Sequence, residues 1–174
     1  MKPLRAALAS LFLALSVGAA HAQGAASDSG PATVIDGSTL TVAGNTYYFV
    51  GVLAPALEQT CYKSDNKTQW PCGKDAADEL RGLINNRPVR CASVGRDGAS
   101  HNLGVCYVGD LELNRAMVAA GMAVIRWQLG LDYTEVQAEA KTARIGLWQG
   151  SFVDPAEWRS QHLPNQSTSP PPPS

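Results

Sequence analysis

Three features are scarce in this sequence: long apolar runs, excess positive charge and closely spaced cysteines. The apolar run near the start spans residues 6–17, whereas a helix that crosses a membrane needs roughly 20 apolar residues. No internal repeat, glycine-rich phosphate-binding loop or Gly-x-Ser-x-Gly elbow is present either. The sequence therefore predicts no membrane span, and it gives no indication of P-loop nucleotide binding or α/β-hydrolase chemistry.

The charge balance weighs against a nucleic-acid-binding surface. Without residues 1–22, which hold Lys2 and Arg5, 12 basic and 15 acidic residues remain, a net charge of −3. Proteins that grip nucleic acids neutralise phosphates with Lys and Arg and usually carry a basic surplus or stripe. Nucleic acid is therefore a partner that the charge does not favour.

The first 22 residues have the order of a cleavable export signal. Lys2 and Arg5 give a positive start, residues 6–17 form the short apolar segment, and Ala20 and Ala22 place small residues where a signal peptidase reads. We predict cleavage after Ala22 and export of the remaining chain.

The composition after the signal predicts one domain between two flexible ends. Residues 23–31 are polar and small, and we expect a flexible segment there. Residues 32–159 have the length of one domain with one core. Residues 160–174 run into four consecutive prolines and have almost nothing to bury, so we expect a disordered tail.

The four cysteines favour two disulfides over a metal site. Four cysteines allow three pairings. Residues 87–94 and 102–108 read as strands around a turn at 95–100, and in a hairpin centred there Cys91 would face Cys106. Cys61 and Cys72 would then form the second bridge. A four-cysteine zinc site usually needs pairs two to four residues apart, which this chain lacks.

Hydrophobic periodicity predicts an α+β domain with a small, mostly antiparallel sheet. The predicted strands are residues 33–35, 40–42, 46–52, 87–94, 102–108 and 122–127. The predicted helices are residues 74–84, 112–120 and 133–145, the last two ending at glycines. Asn114 is placed to fix the backbone near the start of the second helix.

With these elements in order, the chain resembles the staphylococcal nuclease (thermonuclease) family over about residues 32–159. The matching stretches are Val34-Ile35-Asp36-Gly37-Ser38-Thr39, Gly51-Val52-Leu53-Ala54-Pro55, Pro71-Cys72-Gly73, Leu113-Asn114, Gly121-Met122-Ala123, Gly146-Leu147-Trp148 and residues 152–159. The resemblance implies a five-stranded OB-type β-barrel with about three packed helices. The closing segment is similar to that of the exported bacterial branch, so the resemblance implies a periplasmic or extracellular location.

The resemblance also implies an activity, and the residues that the activity needs are missing. Family members cut DNA and RNA with one Ca²⁺, two carboxylate ligands, a catalytic Glu and two phosphate-binding Arg residues. By this resemblance, the two carboxylate positions are Ser38 and Leu53 in this chain. The catalytic Glu position is Ala56, and the two Arg positions are Tyr48 and His101. We expect no metal site and no cofactor, with Ca²⁺ relevant only if the ancestral site were retained.

Two functions remain open at this point. The first is a non-catalytic binding or scaffold module, a monomer whose partner is a protein or an envelope polymer. The second is a weak or altered metal-dependent nuclease or phosphodiesterase that uses Asp36, Glu58 or His101. The sequence favours the first over an enzyme, because Leu53 cannot bind a cation.

Overall fold

The computed structural model describes residues 27–126 and 132–162. The predicted signal, residues 23–26 and the tail from residue 163 onward lie outside these described residues, as does Trp127 at the end of a predicted strand. No helix in the described parts of the chain is long and apolar enough to cross a membrane.

Eleven strands and four helices are described. The strands are β1 Ser27–Gly30, β2 Ala32–Asp36, β3 Thr39–Val42, β4 Asn45–Phe49, β5 Val52–Leu53, β6 Cys61–Tyr62, β7 Gln69–Trp70, β8 Val89–Arg96, β9 Asn102–Val108, β10 Leu111–Glu112 and β11 Val124–Ile125. The helices are α1 Cys72–Ile84, α2 Leu113–Ala119, α3 Thr134–Ala143 and α4 Pro155–His162, with a 3₁₀ turn at Gly146–Gln149.

One large sheet carries the fold, in the order β1-β8-β9-β4-β3-β2, with β10 also paired to β9. All pairs in it are antiparallel except β4 with β9. The described sheet is not closed, because β1 and β2 end its two edges without pairing to each other. This mixed sheet with packed helices agrees with the predicted α+β, OB-type architecture.

The core forms where the strands' inward side chains meet α1 and α2. Leu40 and Phe49 of the sheet lie against Leu80 of α1 and Met117 of α2, all 3% exposed or less. In α1, the apolar residues recur at helical spacing on one buried face, as predicted.

Asn114 connects the sheet to α2. Its side chain accepts a hydrogen bond from the Cys106 amide and donates to the carbonyls of Val50 and Gly104. This buried side chain ties α2 to the backbone of β9 and of Val50, and not to the backbone at the start of the helix as the sequence led us to expect.

The hairpin of β8 and β9 and both disulfides are confirmed. Cys91 faces Cys106, with 4.1 Å between their Cα atoms, and Cys61 is bridged to Cys72, with 5.6 Å between theirs. No cysteine is left to bind zinc. The predicted register holds from Arg90 to Ser93 and then shifts by one residue, because a bulge lies between Ser93 and Gly95.

Three sequence expectations are wrong. Residues 27–30 are not flexible, because they pair with β8 as β1. Residues 122 and 123 are not a strand, because both amides donate to the carbonyl of Met117 and so continue the turn after α2. A fourth helix, α4, runs to His162, so the first three residues of the expected disordered tail are helical.

Candidate functional site

Two chain turns bring Ser38 next to Ala54. The Asp36 carboxylate accepts hydrogen bonds from the Ser38 amide, at 2.8 Å, and from the Ser38 hydroxyl, at 3.2 Å. The hydroxyl oxygen in turn accepts from the Ala54 amide at 3.1 Å. A Cβ on Gly37 would lie 2.7 Å from the Ala76 side chain, so this turn packs against α1 with no spare room. Hydrogen bonds through the Ser38 side chain therefore link the turn at Asp36 to the backbone of Ala54.

Arg159 of α4 reaches into the same corner. One guanidinium nitrogen donates to the Ala54 carbonyl at 2.7 Å and to the Pro155 carbonyl at 3.4 Å, and the other pairs with the Asp36 carboxylate at 3.1 Å. The residue is 8% exposed. We call Arg159, Asp36, Ser38 and Ala54 the Arg159 seat, in which a cation built into the chain neutralises the carboxylate.

Two further positions of the implied nuclease site, Leu53 and Ala56, are packing positions. Leu53 pairs with Val124 in the β5–β11 ribbon and is 9% exposed. Ala56 is 3% exposed, and its carbonyl accepts from the Gln59 amide. Glu58 is exposed and, within the described residues, forms no ion pair.

A second group lies beside the seat, in and next to the β8–β9 turn. His101 Nδ1 lies 2.8 Å from an Asp97 carboxylate oxygen, and the His101 ring lies 4.6 Å from the Tyr48 ring, centroid to centroid. We call Tyr48, Asp97 and His101 the His101 cluster. The carboxylate fixes the imidazole so that Nδ1 carries a proton and Nε2 has no described partner.

The charges of the two groups act on each other. Burial raises the pKa of Tyr48, the nearby carboxylates of Asp36 and Asp97 raise it further, and Arg159 opposes them. For Asp97, burial acts against ionisation, but hydrogen bonds from the His101 amide and ring outweigh it and hold the pKa of the carboxyl below its usual range. Tyr48 of the cluster therefore lies close enough to Asp36 and Arg159 of the seat to be affected by their charges.

Sequence reasoning selected Asp36 and His101 but missed Arg159. Arg159 lies in the stretch 152–159 that carried part of the family resemblance. No local sequence pattern indicates that it pairs with Asp36, because Asp36 lies 123 residues earlier. The sequence signal for its helix was Asp154 followed by Pro155, an N-cap residue and a favoured first helical residue.

The described residues do not fit a Ca²⁺ ion of the kind that the family resemblance implies. Calcium needs six to eight oxygen ligands, several of them carboxylates. The Asp36 carboxylate is already paired with Arg159, and the neighbouring positions present an alkyl side chain at Leu53 and a methyl group at Ala56. No group of three His, Cys, Asp or Glu side chains suited to a metal occurs in the described parts of the chain.

Comparison with known proteins agrees with this fold. A family model described as "Staphylococcal nuclease homologue" matches residues 48–150. The chain is 33% identical over 152 residues to the succinoglycan biosynthesis protein ExoI of Rhizobium meliloti, covering 85% of this chain and 76% of that protein. It is 32% identical over 98 residues to an uncharacterized endonuclease of Haemophilus influenzae, covering 55% of each. The chain therefore belongs to the staphylococcal nuclease family.

Proposed function

We propose that this chain is an exported, non-catalytic member of its family that acts as a binding or scaffold module of the bacterial cell envelope. One observation carries the proposal: the Arg159 guanidinium binds both the Asp36 carboxylate and the Ala54 carbonyl. A metal ion entering this corner would have to displace a buried, fully engaged cation and then bind beside an alkyl side chain, Leu53.

The size of the expected loss supports the absence of nuclease activity. Removing a general base costs about 10²–10⁴ in rate, and removing one preorganised electrostatic contact costs roughly 10²–10³. By the family resemblance, the Glu position in this chain is Ala56 and the two Arg positions are Tyr48 and His101. These losses do not add simply, but together they leave little rate above background.

The envelope setting is supported by the disulfides and by one relative. Two buried disulfides are compatible with an oxidising compartment outside the cytoplasm. The Rhizobium relative is named for succinoglycan biosynthesis, which makes an envelope polymer a reasonable partner for this chain too.

A nuclease assay with a metal series tests this proposal. Purified protein starting at residue 23 is incubated with fluorescent single-stranded DNA and RNA in CaCl₂ and in EDTA, with staphylococcal nuclease as the positive control. We expect no cleavage above the buffer blank in either condition. Cleavage that EDTA abolishes and that Asp36→Asn removes would overturn the proposal.

The second candidate is a weak or altered nuclease or phosphodiesterase centred on His101. The observation that favours it is the free Nε2 of an imidazole held by Asp97, an arrangement suited to general acid or base work. Of the other two candidates, Asp36 is bound by Arg159 and Glu58 is separate from the cluster.

Single replacements in the same assay separate this candidate from the first. His101→Gln keeps a polar side chain without a titrating imidazole, and Glu58→Gln serves as its matched control. Any cleavage that persists unchanged in His101→Gln rejects the second candidate. Cleavage that is lost in His101→Gln and kept in Glu58→Gln would establish it.

A further inference from the structure

The outer edge of β2 carries backbone groups that do not pair with another strand among the described residues. This strand ends the sheet and pairs only with β3 among the described strands. Its Val34 carbonyl accepts a long hydrogen bond, 3.5 Å, from Arg81 of α1 and so points away from β3. Within a strand the N–H and C=O of one residue point to the same side and the pattern repeats every second residue. The backbone groups of Val34 and Ala32 therefore face outward.

A groove follows this edge. It has a volume of about 470 Å³ and lies between residues 31–34 and the end of α1, where Arg81 and Ile84 of the helix and Arg87 after it line the groove. That volume lies within the range of ordinary ligand sites, about 300–1,000 Å³. The groove has the backbone edge of β2 on one side, where the Val34 carbonyl accepts from Arg81, and Ile84 with the two arginines on the other.

The charge at this groove is positive. Arg87 is exposed, and its guanidinium donates to the carbonyls of Leu83 and Ile84, which fixes its position at the end of α1. Within the described residues it has no carboxylate partner, whereas Arg81 shares one exposed ion pair with Asp78. Exposed pairs of that kind are weak and exchange readily. A ligand carboxylate would therefore find two guanidinium groups here.

The side chains of β2 give little protection against strand pairing, although Arg81 of α1 and a bulge protect part of the edge. Natural edge strands commonly carry charged side chains, above all Lys, that discourage a further strand. The side chains of β2 that face solvent are Thr33 and Ile35, and Ile35 is 47% exposed. The one charged residue of β2, Asp36, is held by Arg159, and a bulge before it restricts regular pairing to Ala32–Val34.

We propose that the β2–α1 groove binds an extended acidic segment of a partner protein, which adds as a strand to Ala32–Val34 and places carboxylates on Arg81 and Arg87. Strand addition gives affinity through backbone hydrogen bonds and specificity through side-chain contacts. A polysaccharide has no repeating N–H groups to match the edge, which is why a peptide fits better. The inference specifies the class of partner for the binding role proposed above, and it rests on that proposed function.

The test uses a fluorescein-labelled seven-residue peptide that alternates Glu with Val and Thr, added to the full exported chain. Fluorescence anisotropy at low salt measures binding, and two further peptides serve as controls: one with Gln for Glu, and one N-methylated at alternate amides. We expect a dissociation constant below about 100 μM for the first peptide. We expect at least about tenfold weaker binding for each control, since one lacks the charge and the other lacks the hydrogen-bond donors.

Protein variants and amide chemical shifts place the peptide on the groove. We expect Arg87→Gln and Arg81→Gln each to weaken binding about fivefold or more, while Arg115→Gln, an exposed position on α2, leaves it unchanged. In two-dimensional ¹H–¹⁵N spectra the amides of Ala32 and Val34 should shift on titration.

Three outcomes would overturn the inference. They are no binding of the acidic peptide, binding of the N-methylated peptide as tight as that of the acidic peptide, or binding by both groove variants as tight as that by the wild type. A carboxylated sugar oligomer that shifts the same amides when the peptide does not would assign the groove to a polymer instead. None of these results affects the outcome of the nuclease assay. A failure of the peptide-binding proposal is therefore distinguishable from a failure of the proposed non-catalytic function.

Discussion

The Arg159 seat and the His101 cluster are neighbours that use their polar groups in opposite ways. In the seat, Arg159 is 8% exposed, and both terminal nitrogens donate to oxygens of the chain itself. In the cluster, Asp97 binds the imidazole at Nδ1. His101 Nε2 and the Tyr48 hydroxyl have no hydrogen-bond partner among the described residues. The seat therefore uses its polar atoms to hold the fold together, whereas the cluster presents polar atoms that have no partner in the described part of the chain.

The largest effect should come from removing the cation of the seat. Arg159→Ala removes the cation that neutralises the partly buried Asp36 carboxylate and the side-chain donor to the Ala54 carbonyl, and breaking a largely buried pair of this kind costs about 3 kcal/mol of unfolding free energy. Urea unfolding with the disulfides intact measures the loss. The matched control is Arg126→Ala, which removes an exposed pair with Asp154 and should cost less than about 1 kcal/mol. Equal losses in the two variants would contradict a structural role for the seat.

A medium effect is expected from the carboxylate that orients His101. Asp97→Asn should lower the unfolding free energy at pH 7 by about 1 kcal/mol, because the charged acceptor of several hydrogen bonds is replaced by a neutral one. The pKa of Asp97 in the folded protein lies below its unfolded value, so its contribution is complete above that unfolded value and is lost as the pH falls through the folded one.

The pH series decides whether that contribution comes from ionisation. The difference between wild type and Asp97→Asn should still be present at about pH 5 and should shrink below pH 4. Asp110→Asn, at an exposed turn, should show no such pattern. A difference that persists unchanged at the lowest pH would mean that shape, and not charge, holds His101 in place.

The smallest effect should come from the Tyr48 hydroxyl. Tyr48→Phe should change the unfolding free energy by less than about 0.5 kcal/mol, because that hydroxyl donates no hydrogen bond within the described residues. Tyr47→Phe is the matched neighbour, and it should cost about 1 kcal/mol, since the Tyr47 hydroxyl donates to Asp28 at 2.7 Å. If Tyr48→Phe cost as much as Tyr47→Phe, the cluster would be a structural network like the seat.

The sequence predicted features that depend on local pattern. Helix α1 followed from apolar residues at helical spacing, and the hairpin register followed from the turn together with Cys91 and Cys106. Strand β1 could not be predicted, because the four residues of Ser27–Gly30 have no apolar alternation and owe their strand form to pairing with β8. The helical form of Pro155–His162 had a readable signal in Asp154, whose carboxylate accepts from the Ala156 amide.

By itself the sequence indicated the family, favoured one cysteine pairing and gave the side chains at the positions that the resemblance assigns to the catalytic site. These depend on residue type and on spacing along the chain, which the sequence states directly. Only the tertiary structure decided that Arg159 pairs with Asp36 and that Arg81 and Arg87 meet the free edge of β2. Such contacts join residues tens of positions apart, and their energy depends on the burial and geometry of the folded chain, which no local pattern contains.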